Sequence, residues 1–133
     1  MSEPIRVLVV DDEVDYLNSL KRVLSRRGFD VQTVTDGKSA LAVLAEAQFD
    51  CVLLDLQMPG MSGMELFREL RAIHTHLPVI IMTARGTTET AIEATKLGAF
   101  EYVTKPFDPA EMLRIVERAA RSASLTRQRV ELD

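Results

Sequence analysis

Short hydrophobic runs recur along the chain and alternate with longer amphipathic segments. The first run, residues 5–10, is β-branched and continuous rather than broken by polar residues, which is typical of a strand buried on both faces. Similar runs at residues 31–34, 51–54, 79–82 and 100–103 predict further strands. The hydrophobic pattern therefore predicts five strands.

The segments between these runs have the periodicity of helices. Residues 16–27 carry Leu17, Leu20 and Leu24 on one face, and Gly28 follows as a left-handed stop. Further helices are predicted at residues 38–47, after Ser62 and Glu65 (spaced as in a capping box), at residues 88–97, and from Asp108 and Pro109 onward. Each predicted strand is thus followed by a helix.

Strands that alternate with helices of this length predict repeated βαβ units and a parallel sheet. Because the crossovers are right-handed, helices cover both faces of the sheet, and the fold class is doubly wound α/β. The 133 residues suffice for one domain. Residues 122–133 lose the hydrophobic periodicity, so we expect a domain over residues 1–121 followed by a helix end or linker.

Composition narrows the function classes. Hydrophobic residues make up 47% of the chain and charged residues 27%, which excludes a disordered or fibrous protein. The net charge of -4 argues against nucleic acid or an anionic membrane as the main partner. A single cysteine, Cys51, lies in a hydrophobic run and is expected to be buried in a reducing, cytoplasmic setting. We expect no signal peptide and no membrane span.

Polar residues cluster where the predicted strands end, and in a doubly wound sheet ligands bind at this edge. The residues in question are Asp11, Asp12 and Glu13 after strand one, Asp55 after strand three, Thr83 after strand four and Lys105 after strand five. If strands one and three are neighbours, three aspartates surround one crevice and repel one another. Lys105 or a divalent cation could compensate, and oxygen ligands with room for water suit Mg²⁺ better than Ca²⁺. The alternative is that these acids are helix caps and rim charges facing water.

Four segments together resemble the receiver domain of two-component response regulators. They are VLVVDDE at residues 7–13, LDLQMPGMSG at 54–63, MTA at 82–84 and YVTKPF at 102–107. The resemblance covers roughly residues 5–121. It implies a flavodoxin-like fold with the strand order 2-1-3-4-5.

The same resemblance implies the chemistry of the site. Asp55 would accept a phosphoryl group from a sensor histidine kinase in a Mg²⁺-dependent reaction, as an ionised carboxylate that needs no general base. Asp12, Asp55 and the backbone carbonyl of Gln57 would bind the ion directly, and Asp11 would bind it through water. Lys105 would pair with the phosphoryl group.

Two further residues belong to the implied switch. Thr83 would donate a hydrogen bond to a phosphoryl oxygen. Tyr102 matches the family's switch aromatic, whose rotamer changes when the threonine moves toward the phosphoryl group. The peptide bond before Pro106 would be cis. Output would occur on the surface of helix four, strand five and helix five, through a homodimer or an effector.

The expected role is that of a signalling domain that assists its own phosphorylation and dephosphorylation, not of an enzyme. Residues 83–121 resemble most closely the receivers of multidomain transcription activators, so we expect an effector domain in the full-length chain and no direct contact of this domain with nucleic acid. The alternatives are a hydrolase with an aspartyl-phosphate intermediate, although Gln57 stands where a second acid would be expected, and a degenerate receiver that only binds a protein.

Overall fold

The computed structural model describes residues 4–132, with side chains up to residue 125. The strands are β1 Arg6–Val10, β2 Asp30–Val34, β3 Cys51–Asp55, β4 Val79–Thr83 and β5 Glu101–Thr104. The helices are α1 Val14–Arg26, α2 Gly37–Glu46, α3 Gly63–Ile73, α4 Thr88–Lys96 and α5 Pro109–Leu132. The predicted alternation of five strands and five helices is confirmed.

All neighbouring strands pair in parallel, in the order β2-β1-β3-β4-β5. The predicted doubly wound α/β fold and its strand order are therefore confirmed. Val10 of β1 pairs with Val34 of β2 on one side and with Leu54 of β3 on the other. Since the chain order reverses at β1, a crevice opens beyond the carboxyl ends of β1 and β3, where doubly wound sheets bind ligands.

Helices cover both faces of the sheet and form two hydrophobic cores. Val7 and Val9 of β1 contribute to the core with α1 and α5, whereas Leu8 and Val10 contribute to the core with α2, α3 and α4. Successive side chains of a strand point to opposite faces, so a strand with helices on both sides needs a hydrophobic residue at every position. This explains the unbroken hydrophobic run of β1.

The helix ends follow the predicted capping chemistry with one difference. Gly28 and Gly98 follow α1 and α4 with φ angles of 88° and 82°, and Asp108 Oδ1 accepts the backbone N–H of Ala110 at the start of α5. Ser62 Oγ accepts the N–H of Glu65 as an N-cap. The complete capping box lies instead at the start of α4, where Thr87 and Thr90 bond reciprocally.

Two boundaries differ from the sequence predictions by more than one residue. Helix α1 begins at Val14 rather than at residue 16. The prediction placed the start too late because Val14 is exposed and the hydrophobic periodicity begins only at Leu17. Helix α5 continues past residue 122 to Leu132, and Asp133 lies outside the described residues. That the segment 122–133 leads to an effector domain stays a prediction.

Among residues 4–132, every helix is too short or too polar to cross a lipid bilayer.

Candidate functional site

Three aspartates meet at the carboxyl ends of β1 and β3. Because Val10 pairs with Leu54, the residues that follow, Asp11 and Asp55, lie side by side. Asp11 and Asp55 are buried and Asp12 is exposed, and carboxylate oxygens of all three lie within 4.8 Å of one another. Like charges this close repel strongly, so this arrangement needs a compensating cation.

Backbone groups orient the two buried carboxylates. Asp11 Oδ1 accepts the N–H of Glu13 at 2.9 Å, and Asp55 Oδ1 accepts the N–H of Gln57 at 3.0 Å. In both cases the aspartate bonds to the second residue after it, as in an Asx turn. One oxygen of each carboxylate is fixed in this way, and the other, Oδ2, faces the crevice.

Lys105 supplies the positive charge of the crevice. Its Nζ lies 2.6 Å from Asp11 Oδ2, 3.4 Å from Asp55 Oδ2 and 3.3 Å from Glu13 Oε1. The Lys105 side chain is only 3% exposed. The residue follows the edge strand β5, and its backbone N–H donates to the Thr83 carbonyl at 2.8 Å. Only a long side chain at this place can reach past β4 to the aspartates.

The predicted cis bond between Lys105 and Pro106 is present.

Burial and charge shift the pKa of both partners. Burial, helped by repulsion from Asp11, raises the pKa of Asp55 to about 6, although the N–H of Gln57 and the ammonium of Lys105 favour the charged form. Burial disfavours the charge of Lys105, but the hydrogen bond to Asp11 and the charges of Asp11 and Asp55 outweigh it and raise the pKa of Lys105. At neutral pH, Asp55 is therefore mostly ionised and Lys105 is protonated.

Thr83 and Tyr102 lie on the sheet face that carries α4. Tyr102 pairs with Ile81 in the sheet, and Thr83 stands two residues after Ile81, so the two side chains share one face. Thr83 is fully buried, and its Oγ1 accepts the N–H of Arg85 at 3.2 Å. The Tyr102 hydroxyl instead lies 3.0 Å from Thr90 Oγ1 on α4.

A glycine allows α3 to begin directly against the site. A Cβ atom at Gly63 would lie 2.4 Å from the carbonyl oxygen of Asp55 and 2.4 Å from Cα of Leu56. The N–H of Gly63 also donates to the Leu56 carbonyl at 3.1 Å. Any side chain here would push α3 away from the end of β3 and disturb the backbone that carries Asp55.

The donor set fits a hard divalent cation. Three carboxylates contribute only oxygen atoms, and the single charge of Lys105 leaves the cluster with an excess of negative charge. Mg²⁺ prefers such oxygen ligands and retains several waters, which the exposed Asp12 side permits. Gln57, whose carbonyl was predicted as a ligand, lies on the loop that closes the Asp55 turn.

The structure thus brings together Asp11, Asp12, Asp55 and Lys105, with Gln57 joined to Asp55 and Thr83 joined to the backbone of Lys105. The sequence interpretation missed two contacts of this site. One is Glu13 with Lys105, and the other is the ring of Tyr16, whose centroid lies 4.1 Å from Lys105 Nζ. Helical periodicity reports which residues are buried and gives no signal for these pairs.

Comparison with known proteins gives a consistent picture. The sequence pattern of the response regulator receiver domain matches residues 7–117. The chain is 41% identical to the regulatory protein AtoC of Escherichia coli over 123 residues, which is 92% of this chain and 27% of AtoC. It is 42% identical to the DNA-binding transcriptional regulator NtrC of Salmonella typhimurium over 113 residues, 85% of this chain and 24% of NtrC.

Solved structures agree with the sequence matches. A CheY-like receiver domain protein from Methanospirillum hungatei superposes with a TM-score of 0.90 at 25% identity, covering 93% of this chain and 99% of that one. NtrX from Brucella abortus superposes with a TM-score of 0.89 at 33% identity, covering 98% of this chain and 30% of NtrX. The chain therefore spans between a quarter and a third of AtoC and of NtrX.

Proposed function

The chain belongs to the response regulator receiver domain family, the signalling domains that two-component systems phosphorylate on an aspartate, and we propose that Asp55 is the aspartate that accepts the phosphoryl group here. The observation that carries this proposal is the position of Asp55 in the crevice. Its Oδ2 faces Lys105, two further carboxylates lie beside it, and the backbone fixes its other oxygen. A signalling domain of this kind is not an enzyme in the ordinary sense.

Asp55 is suited to attack phosphorus without a general base. A carboxylate is a weak nucleophile that is already ionised, so position and neutralisation of the incoming charge can do most of the catalytic work. Asp55 Oδ1 is held by the N–H of Gln57, which leaves Oδ2 as the attacking atom. Oδ2 forms the bond to phosphorus while the bond from phosphorus to the donor's leaving atom breaks.

We assign the metal site to Mg²⁺. Asp12, Asp55 and the backbone carbonyl of Gln57 would hold the ion directly, and Asp11 would hold it through water. The ion supplies positive charge that neutralises and orients the phosphoryl oxygens. Support comes from the oxygen-only donor set and from the net negative charge that Lys105 leaves uncompensated.

Lys105 and Thr83 would stabilise the phosphorylated state. The Lys105 ammonium, now 3.4 Å from Asp55 Oδ2, would pair with a phosphoryl oxygen. The Thr83 hydroxyl accepts a hydrogen bond from Arg85 and keeps its own proton to donate to a second phosphoryl oxygen. With these residues the domain would assist both the formation and the hydrolysis of its own acyl phosphate.

The output surface would be formed by α4, β5 and α5. Of the nine residues of α4, all of them described, Ala94 alone is buried, so few core contacts hold this helix in place. Movement of Thr83 toward the phosphoryl group would vacate space for Tyr102 on the same sheet face. The change would bias a pre-existing equilibrium toward a surface that dimerises or binds an effector.

A sensor histidine kinase would be the physiological donor, and the domain would work in the cytoplasm. The matched relatives are longer than this chain, and a DNA-binding regulator is among them, so an effector domain in the full-length protein would make any nucleic-acid contact. The receiver itself, with its net charge of -4, would not bind nucleic acid directly.

The proposal is tested with acetyl phosphate, a small donor that replaces the kinase. Intact mass spectrometry should detect one added phosphoryl group in the presence of Mg²⁺ and none with EDTA. Asp55→Asn should abolish the adduct, whereas Asp15→Asn, an exposed acid on α1, should leave its yield unchanged. An equal yield in Asp55→Asn and the parent protein would place the acceptor elsewhere.

A further inference from the structure

The Lys105 side chain has a fourth contact that involves no carboxylate. The centroid of the Tyr16 ring lies 4.1 Å from Lys105 Nζ, well within the range of a cation–π interaction. Tyr16 lies in the first turn of α1, whereas Lys105 follows β5, so this contact joins the start of α1 to the loop after β5. The Lys105 side chain is only 3% exposed, and this partial shielding from water strengthens the attraction between the ammonium and the ring.

The ring is itself held in place by an aromatic neighbour. The centroids of Tyr16 and Phe107 are 5.8 Å apart with the planes inclined at 52°, a tilted arrangement that aromatic pairs favour. Phe107 stands two residues after Lys105 on the same loop. The Tyr16 ring therefore contacts the β5–α5 loop at both the ammonium and the following aromatic residue.

The four contacts of Lys105 would not respond equally to a bound cation. A cation held directly by Asp55 and through water by Asp11 would neutralise part of the negative charge that attracts the ammonium to these two carboxylates. The contacts that lie outside the acidic cluster are the exposed Glu13 carboxylate and the Tyr16 ring. A ring has no charge for the cation to neutralise, so its attraction for the ammonium persists.

We propose that Tyr16 is a positioning residue that keeps the Lys105 ammonium beside Asp55 when the aspartates are engaged by a cation and by the phosphoryl group. The inference rests on the proposed role of Lys105 in phosphoryl transfer. Tyr16 touches neither Asp55 nor the phosphoryl group and acts only through Lys105. Its effect should therefore appear in the rate of phosphorylation and vanish when Lys105 is replaced.

The contact itself can be measured without metal or phosphodonor. Methylene protons next to the ammonium lie near the ring face, so their NMR signals should be shifted upfield by the ring current in the parent protein. Tyr16→Phe keeps the ring and should keep this shift. Tyr16→Leu should lose it, and Tyr16→Met provides a second ring-free side chain should the leucine variant fold poorly. Lys105 methylene proton shifts at the values of an unstructured lysine in the parent protein would overturn the inference.

The kinetic test is a double-mutant cycle with acetyl phosphate and Mg²⁺. Tyr16→Leu should slow phosphorylation about five-fold, the size expected for the loss of a cation–π contact of moderate strength, and Tyr16→Phe should restore the rate. In a Lys105→Gln background, Tyr16→Leu should cost nothing further. The matched control is Phe100→Leu, which removes a ring lying 5.9 Å from the Arg118 guanidinium and should leave the rate unchanged.

The outcomes separate the two proposals. A Tyr16→Leu rate equal to that of the parent protein, or an equal loss in the Lys105→Gln background, would overturn the positioning role while the phosphorylation of Asp55 stands. A parent protein that gains no phosphoryl group would overturn the proposed function, and the ring-current shift would still decide whether Tyr16 holds Lys105.

Discussion

The hydroxyl oxygen of Tyr102 lies 3.0 Å from Oγ1 of Thr90, so a hydrogen bond joins β5 to the first turn of α4. Thr90 also completes the capping box of α4 with Thr87. Gly86 makes room for this arrangement, because a Cβ there would lie 2.9 Å from the Tyr102 hydroxyl. The rotamer of Tyr102 and the start of α4 are therefore coupled through one hydroxyl group.

This coupling predicts which residues change conformation on phosphorylation. Beryllofluoride, a mimic of the phosphoryl group proposed for Asp55, should change amide NMR shifts at Thr83, at Tyr102 and along α4, because the proposed switch has Tyr102 leave Thr90 when Thr83 moves. A higher sedimentation coefficient is expected if the exposed surface dimerises. Shift changes confined to the crevice around Asp55 would contradict the switch.

The variant Thr90→Val tests whether the hydrogen bond to Thr90 holds the Tyr102 ring in place. It removes the hydroxyl and should move the Tyr102 ring signals of the unmodified protein toward those of the beryllofluoride state. Thr87→Val is the matched control, because it also breaks the capping box but leaves the Tyr102 hydroxyl bond. Equal Tyr102 ring signals in both variants would show that the bond to Thr90 does not hold the ring.

Mg²⁺ should stabilise the protein against heat. The aspartate cluster carries more negative charge than Lys105 compensates, so the folded state should bind the ion. At a free Mg²⁺ concentration 100 times the Kd, binding adds about 2.7 kcal/mol to the free energy of unfolding. For a domain of this size, that corresponds to a rise in Tm of about 8 °C. Asp12→Ala should reduce the rise, whereas Asp15→Ala, outside the cluster, should not. An equal rise in Asp12→Ala and the parent would exclude Asp12 as a ligand.

Replacement of Asp55 should stabilise the metal-free protein in a pH-dependent way. Burial raises the pKa of Asp55 from 3.8 in the unfolded chain to about 6, so the folded state binds the proton more tightly. Folding stability therefore falls as the pH rises from about 4 to 6. Above that range the ionised Asp55 carboxylate destabilises the folded state by its full amount.

Asp55→Asn removes the charged carboxylate and with it this destabilisation of the folded state. After allowance for solvent screening, the variant should be more stable than the parent by about 1–2 kcal/mol at pH 7.5, with the difference shrinking toward pH 4. Urea denaturation in EDTA measures both values, and Asp15→Asn controls for the loss of one charge. A stability difference that grows as the pH falls would have the wrong sign and would contradict the account.

Gly63 should tolerate no side chain. A Cβ at this position would lie 2.4 Å from backbone atoms of Asp55 and Leu56, so Gly63→Ala should lose about 2–3 kcal/mol in urea denaturation. Gly37→Ala is the matched control at the start of α2, where a Cβ would meet only the flexible Met61 side chain at 2.9 Å. A Gly63→Ala variant that is no less stable than Gly37→Ala would contradict the close approach of α3.

The sequence predicts much of this fold because the sheet is buried on both faces. The unbroken hydrophobic run of β1 follows directly from the helices that cover both sides, and residues after neighbouring parallel strands must meet at one edge. Asp11 and Asp55 could therefore be placed together on the condition that strands one and three are neighbours, and the resemblance to the receiver family implied that order. Their roles and that of Lys105 came from the resemblance to the receiver family.

The contacts of the two tyrosines could not be predicted from the sequence. The bonds of Tyr102 to Thr90 and of Lys105 to Tyr16 depend on rotamers and on how α1 and α4 pack against the sheet. The start of α1 was missed because Val14 is exposed and adds nothing to the helical periodicity. Hydrophobic patterning reports burial, and these features are decided by polar and aromatic contacts near the surface.

The most direct test of the central claim identifies the phosphorylated residue. After reaction with acetyl phosphate and Mg²⁺, sodium borohydride reduces an aspartyl phosphate to homoserine, and peptide mass spectrometry locates the converted residue. Homoserine should appear at position 55 in the parent protein, and no conversion should occur without the phosphodonor. Homoserine at position 11 or 12, with residue 55 unchanged, would contradict the central claim.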